Sequence, residues 1–157
     1  MRAARGSDVE IVAINDITAP QTLAHLLQYD SVYGKFSAKV RSADHAIFID
    51  EKEIPVTAEA DPSKLPWTQL GVDLVIECSG KFTNRKDAEK HLAAGAKRVV
   101  ISAPGKDVDI TIAMGVNENS FDPARHQIVS NASCTTTSSA RSSARRRGPG
   151  RSPRPRA

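Results

Sequence analysis

The run VEIVAIN (9–15) constrains the fold more than any other part of this chain. Apart from Glu10 and the closing Asn15 it is apolar and of strand length, the pattern of a parallel strand covered on both faces rather than a half-exposed one. Four more runs follow: GVDLVIECSG (71–80), RVVIS (98–102), DITIAM (109–114) and HQIVSN (126–131). Helical patterns separate them. In APQTLAHLLQYD (19–30), Pro20 sits in the first turn, where its missing N–H does no harm, and Leu23, Leu26 and Leu27 form one apolar face. NRKDAEKHLAAGAK (84–97) predicts a second helix with Thr83 as N-cap and Gly95 just past its end. The stretch 37–62 alternates and turns often, so it predicts short antiparallel strands. Strands interleaved with helices imply βαβ units. The expected class is α/β: a Rossmann-like doubly wound sheet, largely parallel, with a short antiparallel portion.

This pattern stops at Thr136. Residues 137–157, TSSARSSARRRGPGRSPRPRA, contain no Val, Ile, Leu, Met or aromatic residue. Such a segment has too little to bury to offset its ordering entropy and is expected to be disordered. It also distorts the charge balance. The whole chain carries +4, but seven arginines lie beyond residue 135. The remaining 15 basic and 18 acidic side chains leave the body at −3. A nucleic-acid argument from net charge would therefore rest on the tail alone. Its Ser, Ala, Arg, Gly and Pro composition is also what GC-rich DNA yields in a shifted reading frame.

The two cysteines, Cys78 and Cys134, suggest no disulfide framework, and a reduced, cytoplasmic setting is the simpler reading. The first residues lack the apolar stretch of a secretory signal. No segment approaches the roughly 18 apolar residues of a transmembrane helix.

Taken singly, most candidate residues have ordinary explanations. Asp16, at the end of the first strand, is placed as acids are in dinucleotide folds to meet ribose hydroxyls, yet a lone acid there also reads as a helix cap. Ser79 and Gly80 end a strand where ligands approach α/β sheets, yet they equally suit a plain strand-to-helix turn. Cys78 reads as an inert, packed thiol beside a buried strand. His126 reads as a surface residue at a strand start. SNASCTT (130–136) is more pointed: a cysteine among small and hydroxylated residues after a strand suits a helix N-terminus, where free N–H groups lower a thiol pKa.

Together, in order and spacing, VEIVAINDIT, LAHLLQYDSVYGKF, IPVTAEADPSKLPW, GVDLVIECSGKFT, AGAKRVVISAP, DITIAMGVN and SNASCTT resemble the nucleotide-binding half of phosphorylating glyceraldehyde-3-phosphate dehydrogenases, over about residues 7–136. The resemblance implies a catalytic Cys134. Its thiolate would attack an aldehyde, hydride would pass to NAD, and phosphate would release the thioester. It implies that Ser133 and Thr135 help bind phosphate. It further implies that Asn15, Asp16, Ser79, Gly80, Phe82 and Ser102 line the NAD site, with no metal. The implied partners are glyceraldehyde 3-phosphate and inorganic phosphate, in a cytoplasmic homotetramer of glycolysis, with no membrane or nucleic acid. Erythrose 4-phosphate is the alternative substrate within the family.

The chain departs from the family at both ends. MRAARGSD resembles the end of the family's first helix, so residues 1–136 are expected to form a partial domain without the first strand and its glycine-rich turn, N-G-F-G-R-I-G-R. Thr137 stands where the family continues N-C-L-A-P, and the second, catalytic domain with its histidine base is absent; none of His25, His45, His91 and His126 matches that base. Ala60 replaces a basic residue facing the adenine. These departures imply a dehydrogenase fragment with weak or absent NAD binding and little or no turnover of its own. The competing reading is a non-catalytic remnant whose basic tail binds nucleic acid or acidic surfaces.

Overall fold

The structure is a computed structural model and describes residues 7–132. Ser133, Cys134, Thr135 and the tail 137–157 lie outside the described residues. The chain divides into two compact units, Met1–Leu70 and Gly71–Ala157.

The first unit contains β1 (Ile14–Asn15), α1 (Pro20–Gln28), the short hairpin β2 (Tyr29–Asp30) and β3 (Gly34–Lys35), then β4 (Val40–Ala43), β5 (Ala46–Ile49) and β6 (Lys52–Thr57). The main sheet has the order β1-β6-β5-β4. β4, β5 and β6 form the expected antiparallel set, while β1 joins β6 in parallel. Pro20 opens α1, as its fixed φ and missing N–H favour. Leu23 and Leu27 pack against a core of Ala24, Ile47 and Val56. Leu26 departs from expectation and is exposed. A helix advances about 100° per residue, so an arc centred on Leu23, Ala24 and Leu27 leaves Leu26 outside it.

The strand expected over 9–15 contracts to Ile14–Asn15, paired with Val56 and Thr57. The partner strand explains this. Val56 N–H donates toward β5, to the His45 carbonyl at 2.8 Å. Alternation then turns the nitrogen of position 55 toward β1, and that residue is a proline with no hydrogen to donate.

The second unit contains β7 (Leu74–Glu77), α2 (Arg85–Ala93), β8 (Arg98–Ile101), β9 (Ile110–Thr111) and β10 (Ile128–Ser130). Its sheet is fully parallel, in the order β7-β8-β10-β9. α2 packs on β8 and β10, burying Ala88 and His91. Asn84, not Thr83, caps this helix: its side chain accepts from Asp87 N–H at 2.9 Å and donates back to the Asp87 carboxylate at 2.7 Å. The Thr83 carbonyl is taken by Lys106 N–H, and Asn84 makes a strand-like bridge to Lys106, so the helix starts one residue later than expected. Asn84→Ala is expected to lower the unit's stability by about 1 kcal/mol in urea unfolding, the usual worth of an N-cap. At the other end Gly95, at φ 111°, terminates the helix as expected; its N–H reaches Leu92 O and that of Ala96 reaches His91 O.

β7 is not covered on both faces among the described residues. Val75 and Glu77 are buried, whereas Leu74 and Ile76 on the opposite face are exposed. Cys78 continues that exposed face and is an exposed free thiol, not a packed one. Among the described residues no helix is long and apolar enough to cross a membrane.

Candidate functional site

A parallel sheet places all its carboxyl ends at one edge, and in the second unit they align closely. Glu77, Ile101 and Ser130 occupy one register row across β7, β8 and β10. The next residues continue it: Ser102 N–H donates to Glu77 O and Asn131 N–H to Ile101 O, both at 2.9 Å. Ser79, Gly80 and Ser102 are exposed at this edge, and Phe82 is half-buried beside it. Gly80 adopts φ 74°, a conformation glycine takes without penalty, and a Cβ built there would meet nothing within 4 Å. The turn therefore leaves open space in front of its backbone.

Glu77 anchors this turn from below. Its Oε1 accepts Ser79 N–H at 2.6 Å and the Ser79 hydroxyl at 2.5 Å, and Oε2 lies 3.3 Å from His91 Nε2. Burial alone would raise the Glu77 pKa; the bonds from His91 and Ser79 together outweigh it and hold the carboxyl below its ordinary value. The Ser79 hydroxyl proton is thus committed to Glu77, so the backbone around Ser79 and Gly80 is what the turn offers outward.

Ser130 organises the neighbouring strand end. It is fully buried; its hydroxyl donates to Ala103 O at 2.9 Å and accepts from Gly105 N–H at 2.9 Å and Ala132 N–H at 3.3 Å. Gly105 is required by close approach: an added Cβ would lie 2.5 Å from Val108 Cγ1 and 3.0 Å from Ser130 Cβ. Gly105→Ala is expected to cost about 1–3 kcal/mol, read as a lowered denaturant midpoint, because overpacking at this site displaces Ser130. Ala132, the last described residue, is held in the left-handed region at φ 56°.

The adenosine-side candidates lie in the first unit, at the carboxyl end of β1. Asn15 is engaged internally: its amide donates to Glu59 O and its oxygen accepts from Thr57 Oγ1 and Glu59 N–H, each at 3.0 Å. It shapes the segment after β6. Asp16 accepts Thr18 N–H at 2.8 Å, the local turn that a capping acid makes. Ala60 is exposed. His126 is half-buried and structural, its Nδ1 accepting Asp122 N–H at 3.0 Å. Among the described residues no cluster of His, Cys, Asp or Glu could hold a metal.

Glu77, His91 and Ser130 belong to no local motif that points to their roles here. The visible signal was a carboxylate closing an otherwise apolar strand, which demands a partner when buried.

Comparison with known proteins agrees with this architecture. The model of the glyceraldehyde 3-phosphate dehydrogenase NAD binding domain matches residues 1–85. The chain is 54% identical over 134 residues to glyceraldehyde-3-phosphate dehydrogenase of Geobacillus stearothermophilus, covering 85% of this chain and 40% of that protein. It is 57% identical over 134 residues, with the same coverage, to the enzyme of Thermotoga maritima. It is 54% identical over 132 residues to that of Streptomyces coelicolor, covering 84% of this chain and 39% of that protein. The chain thus spans about 40% of the length of the curated relatives it matches. By its sequence and its Rossmann-like α/β fold, this chain belongs to the glyceraldehyde-3-phosphate dehydrogenase family.

Proposed function

We propose that the chain is the nucleotide-binding portion of a glycolytic, phosphorylating glyceraldehyde-3-phosphate dehydrogenase, working in the cytoplasm within a homotetramer. The observation that carries the reading is the shared carboxyl edge of β7, β8 and β10, which holds both the open turn at Gly80 and the exposed Ser102. This is where open α/β sheets bind nucleotides. The Gly80 turn fits the proposed cofactor, because an approaching ligand meets backbone and no side chain. NAD, when bound, supplies the hydride acceptor. Asp16 would accept hydrogen bonds from the ribose hydroxyls. Asn15 would hold the segment around Glu59 that borders them. In the second unit, Ser79, Gly80, Phe82 and Ser102 would be the residues that meet NAD.

Cys134 lies four residues beyond Ser130 in sequence. As a thiolate it would add to the carbonyl carbon of glyceraldehyde 3-phosphate. After loss of hydride from that carbon, inorganic phosphate, held by Ser133 and Thr135, would displace the thiol and regenerate it. On this reading the histidine base and the rest of the substrate site would come from the part of the relatives that residues 1–157 do not span.

The test is alkylation with iodoacetamide followed by peptide mapping, with and without glyceraldehyde 3-phosphate. Addition of the Cys134 thiol to the aldehyde is expected to protect Cys134 selectively and leave the exposed Cys78 reactive. Equal alkylation of Cys134 with and without the aldehyde would overturn the assignment.

A further inference from the structure

The turn 78–82 is pinned at both ends by groups that converge on His91. At its start, both donors of Ser79, the N–H and the hydroxyl, go to Glu77 Oε1. The same hydroxyl oxygen accepts Lys81 N–H at 3.1 Å, so Ser79 relays the carboxylate's hold across Gly80. At its end, the Phe82 ring stands edge-on to the His91 ring, with centroids 6.3 Å apart. His91 is buried in α2 and faces the other oxygen of Glu77. An ionised carboxylate only accepts, so His91 Nε2 carries the hydrogen between them.

We infer that Glu77, braced by His91, is a positioning residue that sets the Ser79–Lys81 turn and so presents the Gly80 backbone to the nucleotide. Neither side chain touches the ligand; their role is to fix a turn whose own residues are exposed. An exposed turn containing glycine would otherwise sample many conformations, and ordering it at the moment of binding would weaken affinity. The nucleotide clause rests on the function proposed above; the positioning clause does not.

Site-resolved amide hydrogen exchange on the full chain tests it. Val99 and Ile112, whose N–H groups bond to Gln127 O and Ser130 O in the same sheet, serve as references. In Glu77→Ala, exchange at Ser79 and Lys81 is expected to rise about tenfold more than at the references, the loss expected when a hydrogen bond to a charged group is removed. Glu77→Gln keeps an acceptor oxygen for Ser79, while its NH2 faces His91 Nε2 and is accommodated when the ring carries its hydrogen on Nδ1; it is expected to restore most of the protection. A rise at Ser79 and Lys81 that only keeps step with Val99 and Ile112 would overturn the inference, since it would report general destabilisation. So would a failure of the glutamine to restore protection.

Should Glu77→Ala not fold, Ser79→Ala isolates the relay. The Lys81 amide alone is then expected to exchange faster, and an unchanged Lys81 overturns the proposal. Titration with NAD separates the two clauses. Shifts at Gly80 and Lys81 that need about tenfold more NAD in Glu77→Ala support both. No shift in the wild-type chain refutes the nucleotide reading, while the exchange data still judge Glu77.

Discussion

Ile128→Ala is expected to destabilise the second unit by about 3–4 kcal/mol, the middle of the range for such large-to-small changes in a core. Ile128 has no exposed surface. It sits in β10, an interior strand of its sheet, with β8 on one side and β9 on the other. Its side chain therefore has packed strands to both sides and little freedom for the surroundings to close over a cavity. A loss of that size rivals much of the roughly 5–15 kcal/mol that stabilises a typical domain, so the variant should unfold at a markedly lower urea concentration. An equal change at Leu26, which is 61% exposed, is expected to shift the midpoint little, despite removing the same number of atoms.

Asp109→Ala is expected to cost nearly as much, about 3 kcal/mol, by a different route. Its Oδ2 accepts both Gln127 N–H and Ile128 N–H at 2.8 Å, and Oδ1 pairs with the Arg85 guanidinium. Arg85 in turn donates to Asp107 O at 2.6 Å, so one carboxylate ties the start of β10 to the start of α2. Removing it leaves the Ile128 amide, next to a fully buried side chain, without its acceptor. Desolvation pushes the Asp109 pKa up, but the bonds from Ile128, Arg85 and Gln127 together hold it below the ordinary value of 3.8. The sign follows: a depressed native pKa means the contribution is complete above 3.8 and is lost as pH falls through the native value. Glu77 acts in the same direction from its ordinary 4.5. Acid unfolding should therefore be steep below about pH 4.5, and the gap between wild type and Asp109→Asn should narrow there. A gap that stays constant to pH 3 would show that the charge contributes nothing.

Much of this fold was legible because its signals are local. Short apolar stretches marked the strands of the second unit, Pro20 marked the start of α1, and Gly95 marked the end of α2. What escaped depended on partners distant in sequence. The β1 ladder is cut short by a proline some forty residues away, and no pattern within 9–15 could reveal that. The cap moved to Asn84 because Thr83 is engaged by Lys106. Cys78 looked packed because its strand is apolar, but apolarity does not say which face of an end strand is covered.

The candidate site divides in the same way. Gly80 and Ser102 fall at the carboxyl edge where strand ends alone would place them. The groups that hold that edge, Glu77 with His91 and Ser130 with Gly105, are tertiary pairs invisible to local motifs. Asn15 shows the opposite limit: its position at the end of β1 was legible, but its engagement of Thr57 and Glu59 through its oxygen and one amide hydrogen was not.

The measurement that bears most directly on the central claim is a titration of the full chain with NAD, followed by backbone amide shifts. The account predicts weak binding, with shifts concentrated at Ser79–Phe82, Ser102 and Asp16. Arg98 and Gln127, at the amino ends of β8 and β10, should stay unmoved. No shifts at millimolar NAD, or shifts at the amino ends instead, would contradict it.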